Sequence, residues 1–262
     1  MSDHDLAGTT ALVTGASRGF GRGIATALSR AGAQVVGVAR DAGPLQDLAA
    51  ELGGSLTPVS ADAADPVAAG QLIDAYHPGV LVLNAGATPL PRPVQYHTWE
   101  SFSRNWQVDV QQVFHFTREA LLAPLAPGST VITLSSGAAL RGSPLSGGYA
   151  GAKAAIRWLT GYAAEESERA GLGLRFVSLL PQLTPATDLG ARYVAAYAAR
   201  QGGAQAAPAA SGPAAPASSV PAASGPPLTP DLAGQAVTEL AADPGYQEPA
   251  YVLTADGLRP LT

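Results

Sequence analysis

The chain has 262 residues, a formal net charge of −5 and no cysteine, which fits one large α/β domain whose core needs no disulfide or metal staple. Without cysteine there are no disulfides, thiolate metal sites or cysteine nucleophiles, and the acidic balance argues against nucleic acid as a partner. No apolar run reaches the ~18 residues of a membrane span, and the opening Met1-Ser2-Asp3-His4-Asp5 lacks a signal peptide's basic and apolar regions, so a cytoplasmic protein with no membrane partner is expected.

Short β-branched runs alternate with longer stretches of helical period. Residues 10–14 predict a strand, 19–31 a helix with Ile24, Ala27 and Leu28 on one face, and 34–38 a second strand. A helix at about 44–52, a strand at about 55–59 and a helix at about 66–75 follow, then a strand over 80–83. A long helix is predicted over about 98–123, a strand over 130–134, a second long helix over about 147–170, and a strand over 174–179. A final helix (231–242) and strand (251–253) complete the pattern. Strands near Leu12, Val36, Leu81 and Ile132 are continuously apolar, as strands covered on both faces are. The alternation predicts an α/β fold with a doubly wound parallel sheet in a single domain. Residues 201–230 break the rhythm: they carry no charge, and 25 of the 30 are Ala, Gly, Pro or Ser. Such a segment offers little to a core and is expected to be a disordered insertion within the domain.

The first strand runs into Thr14-Gly15-Ala16-Ser17-Arg18-Gly19-Phe20-Gly21, which opens a helix. A glycine-rich turn at a helix N-terminus offers free N–H groups and a positive dipole end to a pyrophosphate. Gly15, Ser17, Arg18, Gly19, Phe20 and Gly21 are therefore candidate cofactor-binding residues. An acid about 20 residues beyond the glycines would meet a free ribose 2′-hydroxyl. Here the second strand ends in Ala39-Arg40, with Arg18 in the turn. Two guanidinium groups favour a 2′-phosphate, hence NADP(H) over NAD(H).

Of the fifteen basic residues, only Lys153 is a lysine. It lies four residues after Tyr149, a spacing that puts phenol and ammonium on one helical face. A cation beside a phenol favours the phenolate, which suits the tyrosine to acid/base work at a carbonyl or alcohol. Ser135-Ser136 ends the fifth strand at the carboxyl edge, where a hydroxyl can bond a developing oxyanion.

These motifs resemble those of the short-chain dehydrogenase/reductase family, single-domain Rossmann oxidoreductases. The likeness runs from Thr10 to Gly257 and rests on Thr14-Gly-x-x-x-Gly-x-Gly21, Asp62, Asn84-Ala85-Gly86, Ser136 and Tyr149-x-x-x-Lys153, with Ser136 preceding Tyr149 by 13 residues. The resemblance implies that Tyr149 is the acid/base and that Ser136 polarises the substrate carbonyl. Lys153 would hold the nicotinamide ribose and assist the tyrosine. Asp62 would face the adenine, with Asn84 and Gly86 forming the floor beneath it, and Thr187 would touch the nicotinamide side. Arg18 and Arg40 match positions that accept the 2′-phosphate. The resemblance also implies a homodimer or homotetramer built partly on the two long helices.

Three departures stand out. Where the family commonly has Val-Asn-Leu-x-Gly, this chain has Val108-Asp109-Val110-Gln111-Gln112. The asparagine usually completes a water-mediated relay to the lysine, so Asp109 is a candidate catalytic residue whose carboxylate would weaken the lysine's pull on Tyr149. Asn105, one helical turn early, is not taken as its substitute. The family's Pro-Gly after the sixth strand is Pro181-Gln182, and the insertion falls where the family forms its substrate lid.

The expected function is NADP(H)-dependent reduction of a small carbonyl compound, or the reverse alcohol oxidation. The alternatives are a non-catalytic, regulatory NADP(H)-binding protein, and epimerisation or dehydration through the same Tyr/Lys pair. A carrier-protein substrate would need a basic docking patch, and Leu121 to Gly128 carries no charge. The histidines at 4, 77, 97 and 115 have no metal-ligand spacing, so no metal is expected. Trp99, Phe102 and Trp106, three to four residues apart, are expected to pack as a helix stripe.

Overall fold

A computed structural model describes residues 5–182, 188–204 and 228–261. The elements run β1 (Thr10–Thr14), α1 (Gly19–Arg30), β2 (Gln34–Ala39), α2 (Ala42–Glu51), β3 (Leu56–Ser60), α3 (Pro66–Tyr76) and β4 (Val80–Leu83). Next come α4 (Trp99–Asn105), a π-helical turn (Trp106–Val110), α5 (Gln111–Leu122), β5 (Thr130–Leu134), α6 (Ala138–Arg141), α7 (Gly148–Arg169) and β6 (Arg175–Pro181). α8 (Asp188–Ala204), α9 (Pro230–Ala242), β7 (Ala250–Thr254) and β8 (Gly257–Pro260) follow.

The sheet has the order β3-β2-β1-β4-β5-β6-β7-β8, all parallel except the last pair. Successive residues of a strand point to opposite faces, and β1 shows it: Ala11 and Val13 join one core cluster with Leu28, Leu45 and Val237, while Leu12 joins the other with Phe116 and Ile156. Covered on both faces, the sheet is the doubly wound Rossmann-type arrangement that the sequence predicts. The chain leaves β1 towards β2 on one side and returns to β4 on the other. That reversal opens a crevice at the carboxyl ends of β1 and β4, where open α/β sheets bind ligands.

Helix boundaries follow local chemistry. Asp65 caps α3 by accepting from the Val67 N–H, with Pro66 in the first turn. Thr98 and Ser101 form a reciprocal capping box at α4. α1 and α9 cross so closely that a Cβ on Gly23 would lie 2.4 Å from the Pro230 carbonyl oxygen, and one on Gly234 2.6 Å from that of Gly23.

Several expectations need correction. The helix read over about 98–123 is two α-helices joined by the π turn, which re-aims Asp109. Trp99 and Trp106 are 76% and 41% exposed instead of packed, although Trp99 stacks on Phe102. α8 was not read from the sequence, and its end takes in residues 201–204 of the supposed insertion; residues 205–227 lie outside those described. β8 was also missed. It turns back on β7 through Ala255-Asp256, with Gly257 at φ +106°, so the sheet ends in an antiparallel hairpin.

Candidate active site

The first turn of the crevice is built by close packing. Gly15 has φ +68°, and a Cβ there would lie 2.8 Å from the Ala85 Cα; one on Gly21 would lie 2.1 Å from the Gly15 carbonyl oxygen. Both glycines are thus required by the protein's own packing. Gly19, at φ +53°, faces open space instead. Arg18 is the N-cap residue of α1, with no side-chain cap and no acid in the first turn. The uncapped amides and the open ground at Gly19 suit a pyrophosphate. Phe20 turns towards the core cluster, while Ser17 is half-buried in the turn.

Arg18 and Arg40 are exposed, and neither forms an ion pair among the described residues. Asp41, the acid nearest the end of β2, caps α2 by accepting from the Gly43 N–H. The Asp62 carboxylate, beyond β3, accepts from the Ala64 N–H at 3.0 Å.

A hydrogen-bonded fork holds the crevice open. Thr14 Oγ1 accepts from the Asn84 and Ala85 N–H groups at 2.9 and 3.1 Å and donates to Gln112 Oε1 at 2.8 Å. Gln112 Nε2 donates to the Ala85 carbonyl at 2.5 Å, and Asn84 Nδ2 donates to the Thr14 and Gly15 carbonyls at 3.0 and 3.3 Å. Gln112, 1% exposed, is a residue that sequence reasoning passed over. Its signal was a polar side chain where the family's glycine leaves none.

The titratable groups meet where β5 ends against α7. Lys153 Nζ donates to the Leu134 carbonyl at 2.9 Å and lies 3.2 Å from Asp109 Oδ2, with Lys153 and Asp109 6% and 1% exposed. The same ammonium lies 5.7 Å from the centre of the Tyr149 ring. The other oxygen, Asp109 Oδ1, accepts from the Ala87 N–H at 2.8 Å and from Asn105 Nδ2 at 3.3 Å, while Asn105 also donates to the Ala87 carbonyl at 2.8 Å. Asn105 thus steadies Asp109 and the loop after β4. Gly86, exposed in that loop, faces Asp109: a Cβ there would lie 2.9 Å from Oδ2.

Burial alone would push the Lys153 ammonium towards neutrality, but the Asp109 charge, the Tyr149 oxygen and the Asp109 hydrogen bond outweigh it and raise the pKa above lysine's usual 10.5. Because the folded value is raised, this contribution to stability is complete below pH 10.5 and lost only as pH climbs through the folded value.

The two serines at the end of β5 do different work. Ser135 Oγ is buried and donates to the Lys153 carbonyl at 2.7 Å, pinning α7 to the strand. Ser136 is half-buried, and its Oγ accepts from the Ala138 N–H at 3.1 Å, which leaves its proton to donate. The structure therefore brings Asp109, Tyr149 and Lys153 together beside the crevice at Gly15, Asn84 and Gly86, with Ser136 just beyond the strand whose last carbonyl, Leu134, Lys153 reaches. Thr187 lies outside the described residues. α8 adds Tyr193, which sequence reasoning missed: its ring centre is 6.3 Å from that of Tyr149, and its buried hydroxyl has no partner among the described residues. Burial pushes that phenol's pKa well up.

Comparison with known proteins gives the family. The short chain dehydrogenase family matches residues 9–198. The L-xylulose reductase of Bos taurus is 37% identical over 161 residues, covering 60% of this chain and 65% of its own length. Carbonyl reductase [NADPH] 2 of Sus scrofa is 33% identical over 159 residues, covering 60% of this chain and 64% of its own. The chain thus matches a little under two thirds of the length of these curated relatives. The crystal structure of 3-ketoacyl-(acyl-carrier-protein) reductase from Brucella melitensis, complexed with NADH, is 25% identical with a TM-score of 0.72, covering 93% of this chain and 94% of that one. The chain belongs to the short chain dehydrogenase family. Among the described residues no helix is long and apolar enough to cross a membrane, and no group of three or more His, Cys, Asp or Glu could hold a metal ion.

Removing one partner of a buried ion pair strands the other. Asp109→Ala is expected to lower unfolding stability in urea by about 3–5 kcal/mol. Adding Lys153→Met to Asp109→Ala should recover much of that loss; simple additivity of the two changes would show that the ion pair is not what Asp109 contributes.

Proposed function

We propose that the protein is an NADP(H)-dependent carbonyl reductase acting on a small-molecule substrate, or the corresponding alcohol dehydrogenase in reverse. The observation that carries this reading is Tyr149 beside a buried, charged Lys153 at the carboxyl edge of the sheet. Bound NADPH would supply a hydride to the carbonyl carbon and leave as NADP⁺. The electron pair of the C=O π bond moves to oxygen, Tyr149 delivers the proton, and Ser136 donates a hydrogen bond to the same oxygen as its charge develops. Lys153 favours the phenolate left behind and holds the nicotinamide ribose. Asp109 is a positioning residue that keeps Lys153 charged and in place.

The residues present fit the cofactor. The uncapped start of α1 and Gly19 would take the pyrophosphate, with Gly15, Ser17, Phe20 and Gly21 shaping the turn. Asp62 would face the adenine, Asn84 and Gly86 would form the floor, and Thr187 would reach the nicotinamide. Two arginines that form no ion pair among the described residues, at the end of β2 and the start of α1, and an Asp41 carboxylate spent on a helix cap, support the 2′-phosphate. A reductase named for NADPH and a reductase bound to NADH both stand among the relatives, so the preference rests on these side chains. Exposed rings on α5 and α7, Phe114, Trp158 and Tyr162, support a homodimer or homotetramer. The reading treats the chain as one Rossmann-type domain.

The test is NADPH oxidation with a panel of aldehydes and ketones. Wild-type turnover should fall at least about a hundredfold in Tyr149→Phe, the range expected for loss of a general acid, while NADPH binding is retained. NADPH bound with no turnover of any carbonyl would favour the regulatory alternative. In the Arg18→Ala/Arg40→Ala double variant, KM for NADPH should rise at least about tenfold while KM for NADH stays within about twofold, as expected when only a phosphate contact is removed. Equal changes for both cofactors would place the 2′-phosphate elsewhere.

A further inference from the structure

A cleft of about 530 Å³ opens beside the candidate active site, beginning at Gly147, two residues before Tyr149. One wall is mostly apolar, made of Pro93, Val94 and Tyr96 after β4, Phe102 of α4 and Pro144, with Gln95 and Ser143 as its polar side chains. The other is α8, which contributes Arg200, the one charged side chain among the lining residues described. Arg200 shares a helix face with Tyr193 and Tyr197, at spacings of seven and three residues. Along that face the Tyr149 and Tyr193 ring centres are 6.3 Å apart, as are those of Tyr193 and Tyr197. The helix that packs its buried Tyr193 beside Tyr149 thus carries an exposed guanidinium two turns further on, at the cleft. At 1.5 Å per residue, Tyr193 and Arg200 are separated by about 10 Å along the helix axis. The neighbouring Arg92 is spent on the Tyr96 carbonyl, to which it donates at 3.3 Å.

We propose that this cleft takes an amphipathic carbonyl compound: the reacting carbonyl at Tyr149, an apolar body along Val94, Tyr96 and Phe102, and a carboxylate at the far end that meets Arg200. The inference rests on the carbonyl-reductase reading for the chemistry, but not for the binding. A mostly apolar lining with a single terminal cation and, among the described residues, no carboxylate discriminates such a ligand from a neutral one of equal length through a charge-assisted bond. It also discriminates against short polyhydroxylated compounds, whose hydroxyls would lose water against Pro93, Val94 and Phe102.

Binding and turnover test the proposal separately. By calorimetry, nonanoate should bind the wild type, and Arg200→Ala should weaken it about tenfold, the scale of one charge-assisted contact. Arg200→Lys should restore most of the affinity, and binding of neutral nonan-1-ol should be unchanged by Arg200→Ala. In NADPH oxidation, 9-oxononanoate should show the same rise in KM with Arg200→Ala and little change in kcat, while nonanal is unaffected. Failure of nonanoate to bind, or equal effects of Arg200→Ala on charged and neutral ligands, overturns the assigned ligand class and leaves the reductase reading standing. Arg200-dependent nonanoate binding without turnover of either carbonyl supports the ligand class and counts against the reductase reading instead.

Discussion

A carboxylate and an ammonium held 3.2 Å apart, both out of water, tie together the parts from which the candidate site is made. Asp109 stands on the π turn and grips the loop after β4 through the Ala87 N–H, while Lys153 stands on α7 and reaches the last carbonyl of β5. Four segments distant in sequence therefore converge on one pair of charges. A π turn, rare in regular helices and common at functional sites, gives Asp109 its direction. Burying two charges costs several kcal/mol each before their attraction is counted. The arrangement is better understood as fixing charge and position than as adding net stability.

The charge matters because of what lies next to it. A lone ammonium near a phenol would favour the phenolate strongly; an ammonium already answered by a carboxylate favours it less. In the motif that this stretch resembles, an uncharged asparagine commonly stands in the place of Asp109. This chain keeps the lysine and opposes it, while Gln112, where the motif has glycine, braces the adjoining strands through Thr14 and Ala85. Asp109 and Gln112 lie three residues apart, where the π turn passes into α5.

Much of this was legible in the sequence because local rules and long-range packing agree. Apolar strands at Leu12, Leu81 and Ile132, the turn from Gly15 to Gly21, and the four-residue interval from Tyr149 to Lys153 each predict the same doubly wound fold. The residues that went unread are those whose role exists only in three dimensions. Nothing in Gln112 announces a partner 98 positions away at Thr14. The π turn cannot be read from a helical period that continues through it. Trp99 and Trp106 fit a packed stripe by spacing, yet the surface they occupy is exposed, since periodicity gives a face without saying what covers it. α8 was hidden by the proline-rich stretch that follows and by its own glycines. With it were hidden Tyr193 and Arg200, which lie beside the site. β8 had a usable signal, the Asp256-Gly257 pair that favours hairpins.

The most direct test of the account is the titration of the one lysine in the chain, followed by NMR on protein carrying labelled lysine, in the wild type and in Asp109→Asn. In the wild type the Lys153 ammonium should give up its proton above lysine's usual 10.5, because burial is outweighed by the Asp109 charge, the Tyr149 oxygen and the Asp109 hydrogen bond. Replacing Asp109 by a neutral isostere removes that charge and leaves the burial, so the titration should move to lower pH. A titration that stays where it is, or moves to higher pH, would contradict the claim that the buried pair keeps the lysine charged.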